Sequence, residues 1–298
     1  MIKRIVEICN PAYLHLRRNQ MIIEQEGKQV GTVPVEDLGV LIIDHPQTTH
    51  SQGLLRACWQ NNVAVIFSDE KHLPGAILTP LSGHTLHSKT ISMQVNVKLP
   101  LKKRIWQKII QAKIRSQAEV LKTIKGKNYS LTAYSRRVRT GDPENVEGQA
   151  ARIYWKKLFG EKFFRNPELP GVNGLLNYGY AIIRAVVARA VVGAGLHPTL
   201  GVHHHSQYDP LCLVDDLMEP LRPLADMKVF RIQQRLGEKT DVNKETRAEM
   251  LEILAASFVI HDQPLPVFPA LNHYAASVRK VMADEQKKIE IPVLYFGE

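Results

Sequence analysis

Short apolar runs alternate with turn signals over the first eighty residues, a pattern typical of β-strands. The runs at 21–23 and 30–33 flank a turn at Gly27, which predicts a β-hairpin. The runs at 40–43 and 63–67 are uninterrupted, as in strands buried on both faces. The N-terminal part is therefore expected to be rich in β-structure.

The periodicity becomes helical after a polar stretch at about 82–90. Apolar residues then recur at steps of three to five with Lys and Arg between them, which predicts an amphipathic helix. The apolar stripe comprises Leu101, Ile105, Ile109, Ile114, Ala118 and Leu121. Further helices are expected at about 146–159, 172–194, 213–236, 244–259 and 270–288.

These patterns predict an α+β protein of two domains. We expect a small β-rich N-terminal domain at 1–81, a linker at 82–95 and a larger, mostly α-helical domain at 96–298. A chain of 298 residues is long enough to bury a substantial core.

Composition indicates a soluble globular protein, with 44% hydrophobic and 23% charged residues. The three cysteines form no C-x-x-C pair, which favours reduced thiols in a cytoplasmic protein. The most apolar stretch, 175–192, contains Arg184 and Arg189, so we interpret it as a buried core helix and expect no membrane association.

The net charge of +10 is unevenly distributed. Residues 98–140 hold 13 Lys and Arg against one acid, Glu119, so the remainder of the chain has 26 basic and 28 acidic residues. Such a concentration favours a polyanion-binding surface, and the alternative is a solvated, lysine-rich helix face.

Acidic and imidazole side chains follow this basic stretch. Glu147 lies on a predicted helix beside the small Ala151, which leaves room for a ligand to approach the carboxylate. His203, His204 and His205 are consecutive, and three adjacent side chains cannot all reach one site. One of them is expected to be a ligand or base, and a surface cluster without function is the alternative.

Asp216 and Glu219 are three residues apart and would project from one face of a helix. Pro220 requires a helix start or a bend nearby. Asp215 and Asp216 could instead be N-capping residues, which would leave Glu219 unexplained. Glu219 is expected to be partly exposed, so that Glu219→Ala would cost little stability.

One imidazole and two carboxylates suit Mg²⁺ or Mn²⁺, which could activate a phosphodiester for in-line displacement. Arg222 follows Glu219 by three residues, and a phosphate contact and a surface ion pair are equally compatible with this spacing. The pattern therefore favours metal-assisted chemistry on nucleic acid.

Four motifs give the chain a family resemblance over essentially its full length: E-G-Q-A-A-R-I-Y-W from Glu147, N-G-L-L-N-Y-G-Y-A from Asn173, G-V-H-H from Gly201 and D-L-M-E-P-L-R-P from Asp216. In this order and spacing they resemble the CRISPR-associated integrase, the spacer-acquisition protein one of CRISPR-Cas adaptation. The last motif is most similar to the type II branch.

The resemblance implies that Glu147, His204 and Glu219 hold a divalent metal, Mg²⁺ or Mn²⁺, and are the catalytic residues. It assigns a supporting role to Asp216. If the loop shifts by one residue, His203 or His205 takes the place of His204. Arg136, Arg137, Arg139 and Arg222 are the candidate DNA-binding residues.

The resemblance also implies an antiviral function in spacer acquisition. The 3′-hydroxyls of a short foreign DNA duplex would be joined to the CRISPR repeat by transesterification, and the same site would act as a metal-dependent DNA endonuclease, a hydrolase of the EC 3.1 type. The implied assembly contains two homodimers bridged by CRISPR-associated protein two, as a heterohexamer on double-stranded DNA.

Two other functions share parts of this pattern. A stand-alone, structure-selective, metal-dependent endonuclease would use the same three ligands without joining products. A non-catalytic DNA-binding scaffold would bind DNA independently of metal. No P-loop, G-x-G-x-x-G or nucleophile elbow supports an ATPase, a dehydrogenase or a hydrolase of another class.

Overall fold

The computed structural model describes residues 3–70, 72–78, 80 and 85–294. A β-rich N-terminal region precedes a mainly helical one, as predicted. The N-terminal elements are β1 (Arg4–Ile8), β2 (Tyr13–Arg17), β3 (Gln20–Gln25), β4 (Lys28–Pro34), β5 (Leu38–Ile43), β6 (Thr49–His50), α1 (Gln52–Gln60), β7 (Ala64–Ser68) and β8 (Pro74–Leu78).

These strands form two four-stranded sheets. One has the order β1-β5-β7-β8, with β1, β5 and β7 parallel and β8 antiparallel to β7. The other has the order β4-β3-β2-β6. The predicted hairpin is confirmed as the β3–β4 pair, where Gly27 has a φ of +74°, a left-handed conformation that glycine adopts without steric cost.

Strand β5 is buried on both faces, which confirms the prediction from its uninterrupted apolar run. Val40 and Ile42 belong to the hydrophobic core of the helical region. Leu41 and Ile43 belong to a second core, formed with the other sheet and α1. The β1-β5-β7-β8 sheet is therefore a layer between the N-terminal elements and the helices.

The helices of the second region are α2 (His87–Val95), α3 (Leu99–Lys125), α4 (Leu131–Arg137), α5 (Val146–Phe159), α6 (Val172–Gly193), α7 (Cys212–Met218), α8 (Arg222–Leu236), α9 (Lys244–Leu251) and α10 (Val267–Ala283). All six residues of the predicted apolar stripe on α3 are buried. Helix α3 packs against α4, α5 and α8, so it is central to the helical region.

The expected linker at 82–95 differs from the structure, because α2 occupies most of it and buries Gln94. Its residues 82–84 lie outside the described residues. The division into domains at 1–81 and 96–298 stays a prediction.

Two further expectations need correction. The predicted helix at 244–259 ends at Leu251, and Ser257–Ile260 is a strand, β9, flanked in its sheet by β10 (Gln263–Pro266) and β11 (Val293–Leu294). The predicted helix at 213–236 is interrupted by a 3-10 turn at Glu219–Leu221, where Pro220 cannot donate a backbone hydrogen bond.

Helix α6 is long and apolar enough to cross a membrane by length and composition, yet 83% of its most apolar window is buried inside the protein. This agrees with its interpretation as a core helix. It packs against α7, α8, α9 and α10 and against strands β7 and β8.

Candidate active site

Glu147 is in the first turn of α5, and this turn is fixed by polar side chains before it. The Asp142 carboxylate accepts hydrogen bonds from the backbone N–H of Val146 at 2.9 Å and of Glu147 at 3.0 Å. Asn145 caps the helix by accepting from Gly148 N–H at 3.0 Å. The start of the helix, and with it the Glu147 backbone, is thereby held in place.

Glu219 lies in the 3-10 turn between α7 and α8, which packs on α3. The expectation that Glu219 is partly exposed is wrong: the residue is only 4% exposed. Arg222 Nη1 donates to Glu219 Oε1 at 2.9 Å. Burial alone would raise the pKa of the Glu219 carboxyl, but the positive charges of Lys113 and Arg222 hold this pKa below its usual range.

Lys113, a buried residue of α3, connects the two glutamates. Its Nζ lies 2.5 Å from Glu147 Oε1 and 2.5 Å from Glu219 Oε2. Burial would lower the pKa of the ammonium, but the carboxylates of Glu219 and Glu147 raise it. The two carboxylate oxygens cannot be more than 5.0 Å apart, twice 2.5 Å, so the structure brings Glu147 and Glu219 together.

The histidine loop, residues 201–205, is organised by Asp216, which is fully buried. Its carboxylate accepts from the backbone N–H of Val202, His203 and His204 at 2.6, 3.0 and 3.1 Å. It also contacts His204 Nδ1 at 2.7 Å. Asp216 thus positions both the backbone of the loop and one imidazole ring.

The N-capping interpretation of Asp215 and Asp216 is wrong, because α7 begins at Cys212 and its N-cap is Leu211. Gly201 allows the loop to approach α7 closely: a Cβ at this position would lie 2.4 Å from His204 O and 3.0 Å from Asp216 Oδ2. A side chain at 201 would therefore push the loop away from the Asp216 carboxylate.

The three histidines have different environments. The His203 ring stacks on Trp106 with ring centroids 4.0 Å apart, and its burial lowers its pKa. The hydrogen bond with Asp216 raises the pKa of His204. If Nδ1–H of His204 donates to Asp216, the Nε2 lone pair of this ring is free for a ligand. His205 is exposed, and its Nδ1 lies 2.6 Å from the His204 carbonyl oxygen.

Two residues outside the predicted site, Arg184 and Gln94, form hydrogen bonds to the segments on either side of the histidine loop. Arg184 on α6 donates to Asp215 at 2.6 and 2.9 Å and to Asp209 at 2.6 Å. Gln94 on α2 bonds both His197 N–H, at 2.8 Å, and the carbonyls of His197 and Leu200, at 3.0 and 2.9 Å. The sequence did not predict these roles of Arg184 and Gln94, because their hydrogen bonds depend on tertiary contacts.

A buried polar network lies beside Arg222. The Asp226 carboxylate accepts hydrogen bonds from Tyr154 Oη at 3.0 Å and from Tyr180 Oη. Burial raises the pKa of the Asp226 carboxyl to about 7, although both tyrosine hydrogen bonds act to lower it. Tyr154 and Tyr180 stand within two of the four sequence motifs, which is the signal that could have placed them near the site.

A second group of possible metal ligands lies outside this site. Within the described part of the chain, only Glu7, Cys9 and Asp44 bring three ligand atoms within 4.8 Å of one another. Asp44, however, already forms a buried ion pair with Arg247 at 2.9 Å, and burial raises the pKa of the Cys9 thiol to about 11. A protonated thiol is a poor metal ligand, so this group is a weaker candidate than the Glu147–Glu219 pair.

Three of the predicted DNA-binding residues are exposed on one segment. Arg136 and Arg137 are in the last turn of α4, and Arg139 follows it. Arg137 lies over the Tyr134 ring at 5.0 Å, and Arg139 forms an ion pair with Glu144. Arg222 instead lies at the acidic site, over the Tyr180 ring at 4.5 Å.

The fold and sequence resemble known proteins over nearly the whole chain. A curated relative, "CRISPR-associated endonuclease Cas1" of Neisseria meningitidis serogroup C, is 35% identical over 296 residues, which are 98% of this chain and 96% of the relative. Three solved structures share the fold. The match to "Casposase bound to integration product" has a TM-score of 0.76 and 15% identity, covering 97% of this chain and 92% of that one.

The second structure, a CAS1 protein from Thermotoga maritima, has a TM-score of 0.75 and 17% identity, covering 99% of this chain and all of that one. The third, "Partial Cas6-RT-Cas1--Cas2 complex", has a TM-score of 0.63 and 17% identity, with coverage of 99% and 100%. The family model described as CRISPR associated protein Cas1 matches residues 8–255. The chain belongs to this family, CRISPR associated protein Cas1.

Proposed function

We propose that this protein is the DNA integrase and endonuclease of CRISPR adaptation, which joins 3′-hydroxyl ends of short foreign DNA to the CRISPR repeat. The observation that carries the proposal is that Glu147 and Glu219 both contact Lys113. The His204 ring, positioned by Asp216, lies beside them. Family membership supports nuclease chemistry, since the Neisseria relative is named an endonuclease.

Metal dependence is part of the proposal, and the donor set of the site fits a divalent ion. Two carboxylates and one imidazole with a free Nε2 are ligands that Mg²⁺ and Mn²⁺ accept. Glu219 Oε2 is buried, and its close partner is the Lys113 ammonium at 2.5 Å. We propose Glu147, His204 and Glu219 as the ligands, with Asp216 orienting His204.

In the proposed reaction a DNA 3′-hydroxyl attacks a phosphodiester of the repeat. One P–O bond forms and one breaks, the released repeat 3′-oxygen takes up a proton, and no external energy source is needed. When bound, the divalent ion would stabilise the negative charge on the phosphoryl group during its transfer. Arg222 adjoins Glu219 and would donate to a phosphate oxygen, which adds to that stabilisation.

The proposed partners are double-stranded DNA, a second copy of this chain and the Cas2 protein. Two structures with the same fold are named as bound to an integration product and as a Cas1–Cas2 complex, and they support DNA and Cas2 as partners. We further propose a heterohexamer of two dimers bridged by Cas2, acting in the cytoplasm. The three cysteines are free, as expected in a reducing compartment.

A strand-transfer assay tests the proposal. The purified protein and its Cas2 partner are mixed with a short duplex bearing 3′-hydroxyls, a supercoiled plasmid carrying a CRISPR array, and Mg²⁺ or Mn²⁺. We expect joined products that disappear with EDTA. Cutting without joining would favour the stand-alone nuclease, and DNA binding without chemistry would favour the scaffold.

A matched pair of variants identifies the functional histidine. We expect His204→Ala to abolish joining and His205→Ala to retain it, because only the His204 ring contacts Asp216. The reverse result would mean that the loop uses a different histidine in the complex with DNA.

A further inference from the structure

Lys113 is an unusual residue in this site, because buried lysines are rare and this one faces two acids. Its Nζ lies 2.5 Å from one oxygen each of Glu147 and Glu219. The proposed function assigns those two carboxylates to a divalent ion. The ammonium and the ion therefore require the same space.

The ion and the ammonium compete for the same two oxygen atoms. Mg²⁺ binds carboxylate oxygens at about 2.1 Å, and the ammonium already lies 2.5 Å from each of these oxygens. Electrostatic repulsion between a divalent cation and the ammonium adds to this competition. Within the described part of the chain, Glu147, His204 and Glu219 do not bring their ligand atoms within 4.8 Å of one another, so the site must also contract around an ion.

A cavity next to the carboxylates offers the displaced ammonium another position. It has a volume of about 230 Å³, and Lys113, Gln117, Trp155, Arg165 and Arg222 are among the residues that line it. Arg222 Nε is buried and has no hydrogen-bond partner. Three cationic side chains line this cavity together with the buried Asp226 carboxyl, and one of the cations, Arg222, keeps an unused N–H donor. This excess of cationic donors matches the chemistry of a phosphate group.

We propose that a divalent ion displaces the Lys113 ammonium from between Glu147 and Glu219, and that the ammonium turns into the adjoining cavity to hold a DNA phosphate together with Arg165 and Arg222. This inference rests on the proposed function and assigns a positioning residue to it. Metal binding would then create part of the phosphate site, so metal and DNA bind cooperatively through Lys113. By linkage, DNA raises the metal affinity by the same factor.

The first test is a titration of the metal-free protein with Mn²⁺, followed by the electron paramagnetic resonance signal of free Mn²⁺. We expect Lys113→Met to bind Mn²⁺ at least about tenfold more tightly than the wild type, since the ion no longer competes with an ammonium. Lys280→Met, the same change at an exposed position on α10, should match the wild type. Equal or weaker Mn²⁺ binding by Lys113→Met would overturn the proposal.

The second test measures binding of a duplex with 3′-dideoxy ends, which cannot be joined, with and without Mn²⁺. The wild type and Lys280→Met should bind this duplex about tenfold more tightly with Mn²⁺, and Lys113→Met should lose most of that gain. A gain of the same size in Lys113→Met would contradict the proposed move into the cavity. If the wild type binds no Mn²⁺ at all, the metal dependence assigned under the proposed function is wrong instead.

Lys113→Met leaves Glu147 without its counter-charge and Glu219 with Arg222 alone, so this variant is expected to be less stable without metal. Lys113→Arg keeps the charge and provides the alternative variant. A larger cation in the same space should leave Mn²⁺ affinity equal to or below that of the wild type. Tighter Mn²⁺ binding by Lys113→Arg would exclude competition between the side chain and the ion.

Discussion

At the scale of single residues, Asp216 combines two tasks that are normally separate. It satisfies three consecutive backbone N–H groups of the histidine loop and also fixes the His204 ring. Asp216→Asn keeps the shape but replaces one acceptor oxygen with an NH₂ donor, which opposes the N–H groups that face it. Both the loop and the ring should lose their orientation.

We predict that Asp216→Asn weakens Mn²⁺ binding about 10- to 100-fold, the usual effect of removing a group that orients a metal-bound histidine. A Mn²⁺ titration measures this, and Asp262→Asn, the same change at an exposed residue, is the control. Unchanged Mn²⁺ affinity in Asp216→Asn would mean that His204 is not a ligand.

Replacing Glu219 should destabilise the protein, because its side chain is buried. Its side chain is 5% exposed and faces Lys113 and Arg222, whereas the Glu147 side chain is 27% exposed. Glu219→Gln should abolish strand transfer and lower the free energy of unfolding by about 3 kcal/mol, because the buried Lys113 and the partly exposed Arg222 lose the charge of their shared partner. Urea unfolding measures the loss, and Glu147→Gln should show a smaller one. Equal losses would contradict the difference in burial.

The site could be predicted from the sequence at the level of its motifs but not of its contacts. The family resemblance of the motifs predicted Glu147, His204 and Glu219 as ligands; the structure pairs the two acids, and the roles of all three stay a prediction. Lys113 was missed because lysines in a basic stretch are normally solvent-exposed. Its position, four residues after Ile109 and next to Ile114 on the buried stripe, was the available signal.

At the scale of elements, α4 is the best-defined candidate for contact with DNA. It ends in two exposed arginines, Arg136 and Arg137, and Arg139 follows at an exposed position. Each phosphate that the protein no longer neutralises should lower the slope of log affinity against log salt by about 0.9. Replacing all three arginines with alanine should therefore weaken DNA binding and reduce the slope by up to about 3.

Filter binding of a duplex over a range of salt concentrations measures this slope. Alanine at Lys239, Lys280 and Lys287, three exposed lysines outside the basic stretch, removes the same charge and is the control. An identical slope in both triple variants would show that the α4 segment faces away from DNA.

Helices that carry their own periodicity were predicted from the sequence, whereas elements that depend on distant partners were not. Helix α5 has the predicted bounds, and α6 differs from its predicted range by one residue. Strand β9 has only four residues, and its neighbour β11 lies more than thirty residues further along the chain. The pairing of β9 with β11 leaves no local pattern, although β10 follows β9 after a two-residue turn. The polar sequence of α2 predicts a linker, although the helix buries Gln94 against the turn at His197.

At the scale of the whole molecule, Asp226 should make stability depend on pH. Its pKa is raised from 3.8 to about 7 by burial, so the folded protein binds this proton more tightly than the unfolded chain does. The contribution is fully present below about pH 4 and is lost as the pH rises to about 7. A rise of about three pKa units corresponds to a contribution to the free energy of unfolding on the order of 4 kcal/mol.

Asp226→Asn removes this titration while keeping a side chain that can accept from Tyr154 and Tyr180. We predict that the wild type loses stability relative to this variant between pH 4 and pH 7, as measured by denaturant unfolding at several pH values. A constant difference across this range would show that Asp226 is ionised at all of these pH values in the folded protein.

The burial of α6 has a consequence for how the protein is made. Strands β7 and β8 precede α6 in the chain, but its helical packing partners α7, α8, α9 and α10 all follow it, and α10 ends at Ala283, 90 residues after α6 ends at Gly193. At 5–20 residues per second, the ribosome needs roughly 5 to 20 s to supply them. During that interval a helix with the length and hydropathy of a membrane span lacks the helices that cover it, so nascent chains should depend on chaperones and aggregate when truncated before α10.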